Sequence, residues 1–150
     1  MKKLSVRLLI ISCLLLALSG LGMAATTNPS PASPGYMVLP VVFSRTVAAV
    51  STPVMARIKL PFPAQVVSVT TSCETADYTS TDEVYTVDVQ EAGTSILSAA
   101  IGLAAADTVY QGTVTDAALA DEAVLTVVLD VAGTTPSITD VTTLLVLKRL

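Results

Sequence analysis

From Tyr36 onward, apolar side chains recur at every second position in short runs broken by Gly, Pro, Asp and Ser. A period of two belongs to a strand, whose successive side chains point to opposite faces. The pattern therefore predicts half-buried antiparallel strands. Val67, Val69, Thr71 and Cys73 fall on one face, and Ser68, Thr70 and Ser72 on the other. Tyr85, Val87 and Val89 alternate with Thr86, Asp88 and Gln90 before a turn at Glu91, Ala92 and Gly93. Leu125, Val127, Leu129 and Val131 alternate with Thr126, Val128 and Asp130, and Val128 hints at a partly covered outer face.

The final run is apolar on both sides, with Val141, Thr143, Leu145 and Leu147 against Thr142, Leu144, Val146 and Lys148. Such a strand is central in its sheet or lies between subunits, and Lys148 and Arg149 close it with charge. Further strands are expected at 37–43, 54–60, 94–98 and 109–115, while the Ala-rich stretch 99–106 reads as a short helix or a loop, with Gly102 weakening a helix. The fold class is all-β: a single antiparallel β-sandwich, jelly-roll-like, of about eight strands.

Ahead of this domain the chain begins MKKLSVR and continues into an apolar run from Leu8 to Leu18 that breaks at Ser19 and Gly20. Basic start, apolar centre and break are the parts of a secretory signal peptide. Small residues at Gly22 and Ala24 place the cut after Ala24, so residues 1–24 form the leader. An uncleaved anchor is the competing reading, since 8–25 is at the short end of a bilayer span. Residues 25–35 are a Pro-, Ser- and Thr-rich linker, in which Pro29, Pro31 and Pro34 favour extended backbone reaching about 30 Å. The folded domain is then 36–150. The expected location is secreted, extracellular or cell-surface, with membrane contact only through the leader.

Removal of the leader leaves Cys73 as the single Cys, so no intrachain disulfide forms and stability comes from packing. On its alternating strand Cys73 reads as a small buried hydrophobe. The remaining charges are Arg45, Arg57, Lys59, Lys148 and Arg149 against twelve acids, a net charge of −7. All twelve acids lie between Glu74 and Asp140, where there is no basic residue, which argues against nucleic acid as a partner. The absence of His removes His-dependent triads, and no Ser-x-x-Lys arrangement supplies another activator for a Ser nucleophile. No catalytic residue or cofactor is expected.

The region from Tyr85 to Lys148 resembles a β-sandwich module of tailed-phage virion structural proteins, those of tails and head decorations. The likeness is carried by Asp88, Val89, Gly93, Thr94, Ser95, Ile96 and Leu97, and later by an acidic turn at Asp121 and Glu122. Leu125, Thr126, Val127, Asp130, Gly133, Thr134, Thr135, Pro136, Asp140 and the strand from Val141 to Leu147 complete it. The family usually places Gly beside the acidic turn, where this chain has Ala120 and Ala123. The resemblance implies a sandwich with a structural role in a virion-like assembly.

Two candidate surfaces follow. The mostly apolar segment 36–50, with Tyr36, Val38, Val41, Phe43 and Val47, forms the first strands of its own sandwich or is donated to a neighbour's sheet. With Leu144 and Val146 of the last strand it is the expected assembly surface of a homo-oligomer or larger protein array. Tyr78 and Tyr110 are the aromatic residues placed to stack on a sugar ring, the alternative being a monomeric carbohydrate-binding module. Acids cluster as Asp77, Asp82 and Glu83, as Asp116, Asp121 and Glu122, and as Asp130 with Asp140. They read as solvated turn residues, with weak Ca2+ binding as the alternative.

Overall fold

The computed structural model describes residues 35–79 and 81–150. The leader and the linker up to Pro34 lie outside the described residues. Ten strands are formed among the described residues: β1 Tyr36–Val47, β2 Val54–Lys59, β3 Ala64–Ala76, β4 Val84–Glu91, β5 Thr94–Ser95, β6 Ile101–Gly102, β7 Tyr110–Gly112, β8 Ala118–Leu119, β9 Val124–Ala132 and β10 Ile138–Arg149.

They make two antiparallel sheets. Sheet A has the order β1-β10-β3-β7, with β8 also on β3; sheet B has the order β2-β9-β4-β5, with β6 also on β4. Each sheet turns its apolar alternate residues inward. Val69, Val141, Leu145 and Leu147 of sheet A share one core with Tyr85, Val87, Val89, Leu125, Val127 and Leu129 of sheet B. A fully buried Val or Leu contributes about 1.5–3 kcal/mol relative to exposure, so this core holds the domain without a disulfide.

Two inward positions are polar, Thr71 and Thr143, which face each other across β3 and β10. The Thr71 hydroxyl donates to the Thr142 carbonyl at 3.1 Å, so Thr143 donates to Thr71, also at 3.1 Å. Neither is left unpaired, as burial requires. Tyr85 ties the sheets together from sheet B. Its hydroxyl donates to the Asp77 carbonyl at 2.8 Å and accepts from the Ser137 N–H at 3.0 Å, joining the end of β3 to the start of β10.

Three local expectations change. Val67 is exposed, because β3 carries a bulge that sets Val66 opposite Leu147 and Ser68 opposite Val146. The extra residue shifts the alternation, so Val66 and Val69 face inward and Val67 does not. Residues 99–106 contain no helix: Ile101–Gly102 pairs with Thr86–Val87, and Ile101 and Leu103 are buried. The strands expected at 94–98 and 109–115 are cut short, because beyond Ile96, whose N–H still donates to Val89 of β4, the chain turns to bond with 113–115. Ser98 N–H donates to Thr113 and Thr115 N–H to Ile96, both at 2.9 Å.

The turns supply the required left-handed backbone. Ala92 and Gly93 both have positive φ, at 50° and 85°, as a two-residue hairpin between Glu91 and Thr94 demands. At the acidic turn, flanked by Ala120 and Ala123, Glu122 itself takes φ 64° and forms an ion pair with Lys59.

Candidate functional site

Sheet A has an outward face whose residues follow from the register. Tyr36 pairs with Lys148, Val38 with Val146, Pro40 with Leu144 and Val42 with Thr142. Across β10, Val146 meets Ser68, Leu144 meets Thr70 and Thr142 meets Ser72. Tyr36, Val38, Pro40, Val42, Leu144 and Val67 are all exposed, Val38 at 55% and Val42 at 58%. The outcome is one continuous apolar patch over β1 and β10, with a hydroxyl-lined strip along β3. Scattered exposed apolar residues are ordinary, but a contiguous patch marks an interaction surface.

The seven residues expected to form an assembly surface are divided by this register. Tyr36, Val38, Leu144 and Val146 lie together on the outward face. Val41 and Phe43 are buried inside the chain's own sandwich, and Val47 packs against that core from the inner side. The segment 36–47 completes its own sheet beside β10. Pro40, Val42 and Val67 are additional members of the face. Their signal was the pairing of β1 with β10 and the bulge in β3, neither of which alternation alone reveals.

The free edge of β1 is blunted. Arg149 N–H donates to the Gly35 carbonyl, so Gly35 is a hydrogen-bonded partner of Arg149, and residues an even number away along β1 also bond toward β10. Pro40 is an odd number away, so its missing N–H lies on the open edge. A bulge follows between Phe43 and Thr46, and Arg45 lies over the Phe43 ring, 4.4 Å from its centroid. Proline, a bulge and a cation are the features that discourage strand addition at an edge. Beside this bulge Arg45, Val47, Ser51 and Pro53 line an open depression of about 400 Å3.

The other end of the sheet A face is acidic. Glu74 lies against Asp140, where the strands β3 and β10 run side by side, and Asp107 is nearby. A hydrogen bond to Asp140 and then the repulsion between the two carboxylates push the Glu74 carboxyl above its ordinary range. Asp140 and Asp107 both sit at positive φ, 52° and 53°. These acids, with Ser72, Cys73 and Thr142, line a pocket of about 340 Å3. Among the described residues no Lys or Arg forms an ion pair with any of the three; Lys148, at the opposite end of β10, also has no acidic partner.

Tyr78 and Tyr110 are brought into one neighbourhood but not onto an open platform. The Tyr78 ring stands edge-on to Tyr85, with centroids 5.5 Å apart, and its hydroxyl lies 3.8 Å from the Cys73 sulfur. Burial raises the Tyr78 hydroxyl pKa strongly, and Cys73 adds to the rise. Tyr110 packs partly against the core on β7. Cys73 is buried, and desolvation pushes its thiol pKa up, partly offset by the Tyr78 hydrogen bond. A thiol held protonated is a poor nucleophile.

The acid clusters expected from spacing are redistributed. Asp130 lies opposite Thr86 in sheet B and is separated from Asp140 in sheet A. Hydrogen bonds from the Thr79 hydroxyl and then from its N–H, at 2.9 Å, lower the pKa of Asp77. Asp82 and Glu83 accept from Thr134 and Thr135 across the loop before β10. Among the described residues no three His, Cys, Asp or Glu side chains are grouped to hold a metal ion. Against known proteins, no family model and no curated relative matches the chain.

Proposed function

We propose that this chain is an exported, non-enzymatic structural subunit of a cell-surface, filament or virion-like assembly, and that it docks through the outward face of sheet A. The observation that carries this reading is the continuous apolar patch of Tyr36, Val38, Pro40, Val42, Leu144 and Val146 on an otherwise complete sandwich. The blunted β1 edge favours docking by face over strand donation. The leader-like start of the sequence supports export.

Strand order supports a jelly-roll reading of the sandwich. The first and last long strands pair, and β1, β2, β3 and β4 alternate between the sheets, with β4 and β9 neighbours in sheet B and β10 back in sheet A. Coat proteins and lectins both use that architecture, so fold alone does not choose between assembly and sugar binding. The outward face favours assembly. Tyr78 is engaged by Tyr85 and Cys73, and nothing comparable favours a sugar platform.

Size-exclusion chromatography with light scattering tests the proposal. The unaltered protein should associate as its concentration rises. Val38→Asp with Leu144→Asp should leave it monomeric at an unchanged melting temperature, while Thr126→Asp on sheet B should not affect association. If the aspartates unfold the chain, Val38→Thr with Val42→Thr serves instead. A strict monomer at high concentration, or equal sensitivity of the two sheets, would overturn the role.

A further inference from the structure

Resting on the assembly role proposed above, we infer that the occupant of the sheet A face is a second copy of this chain, stacked face to face with its strands reversed. The charge distribution on the face selects this partner. Among the described residues, Lys148 lies without an acid at one end of β10, and the Glu74 and Asp140 pair without a cation at the other. Eight residues of strand separate Lys148 from Asp140, about 27 Å. Leu144 stands midway between them, four residues from each.

A two-fold axis between the stacked sheets, crossing the strands at Leu144, makes every contact self-complementary. Leu144 meets its own counterpart. Pro40, which pairs with Leu144, also lies on the axis, so Val38 of one copy meets Val42 of the other. Lys148 falls over Asp140 and beside Glu74, twice per pair. The alternative axis, running along β10, would stack Lys148 on Lys148 and Asp140 on Asp140. Like charges held face to face are disfavoured, so electrostatics chooses the reversed arrangement.

Stacked sheets lie about 10 Å apart with strand directions within about 30°. Three strands spaced about 4.8 Å and about 30 Å long cover roughly 430 Å2 per copy. The total, roughly 900 Å2, lies below the range of stable interfaces and among weak, transient ones. At that size the pair is weak and reversible, and the charged ends decide the orientation.

The test uses two charge reversals at the ends of the face, Lys148→Glu in one preparation and Glu74→Lys with Asp140→Asn in another, Asn being tolerated at the positive φ of position 140. Each alone should weaken self-association about tenfold or more, since both symmetry-related contacts become repulsive. Mixing the two preparations should restore a pair, because the mixed pair has one original and one reversed contact, each between opposite charges. Native mass spectrometry should then find the two variants together in one dimer. Association of Lys148→Glu at full strength, a mixture that stays monomeric, or wild-type species growing beyond two copies would overturn the reversed stack. If Leu144→Asp still abolishes association in those cases, the face reading survives and only the two-fold arrangement falls. A wild-type protein monomeric at every concentration would end both.

Discussion

The outward faces of sheets A and B come from strands with the same alternation, yet they meet water differently. Sheet B presents Arg57, Lys59, Thr86, Asp88, Gln90, Thr126 and Asp130, interrupted by Val54, Val84, Val124 and Val128. Sheet A presents Tyr36, Val38, Pro40, Val42, Leu144 and Val146. The acids differ as well. Asp88 on sheet B accepts from Ser95 at 2.6 Å and from Gln90 at 2.9 Å, whereas Glu74 on sheet A has another carboxylate beside it. Folding requires only the inner faces to be apolar, so the outer faces are free to differ. One is finished for solvent, and the other has unmet apolar surface and unmet charge.

The strongest test of that division sets inner against outer on one strand. Leu145→Ala removes a fully buried side chain of β10 and should cost about 2–5 kcal/mol, seen as a lowered urea midpoint. Its neighbour Leu144→Ala should stay within about 0.5 kcal/mol in dilute protein. Equal losses would mean that the outward face of sheet A is needed for folding and is not free for a partner.

A middle-sized effect probes whether the sheets fold as one unit. Tyr85→Phe deletes the hydroxyl that serves Asp77 and Ser137, leaving the Ser137 N–H without its acceptor. It should destabilise by about 1–3 kcal/mol, with loss of hydrogen-exchange protection at the ends of both β3 and β10. Protection lost on sheet B alone would show that Tyr85 does not couple the two layers.

The smallest effect concerns the acidic end of sheet A. The folded-state pKa of Glu74 lies above that of the unfolded chain. Its contribution to stability is therefore complete below the unfolded pKa and is lost as pH rises through the folded one. Glu74→Gln should raise the melting temperature slightly at about pH 7 and leave it unchanged at about pH 3, where Glu74 is already protonated. Measured in dilute protein, association does not contribute. A gain that persisted at low pH would mean that carboxylate repulsion is not the cause.

Much of the architecture was legible along the chain. The alternation in 85–89, 125–131 and 141–147 identified strands and their buried sides, because burial of one face imposes a period of two. The turn at Ala92 and Gly93 was legible from its small residues. The face assigned to Val67 was not, because a bulge depends on the partner strand and leaves no local trace. The short strand at 101–102 was also hidden, and the strand expected at 109–115 shrank to 110–112: pairing partners, not propensity, set their limits. Tyr36, Val38, Leu144 and Val146 could be named from apolarity alone, whereas Val41 and Phe43 needed the register to turn them inward.

Residue order by itself determined the all-β class, the inward side chains of β4, β9 and β10, and the two-sided character of β10. Tertiary structure alone decided that β1 lies beside β10, that Val38 therefore adjoins Val146, and that Glu74 meets Asp140 from a distant part of the chain. The reason is physical. Side-chain alternation is local and set by the backbone, while a surface patch and a charge pair exist only once hydrogen-bonded pairing has chosen which strands are neighbours.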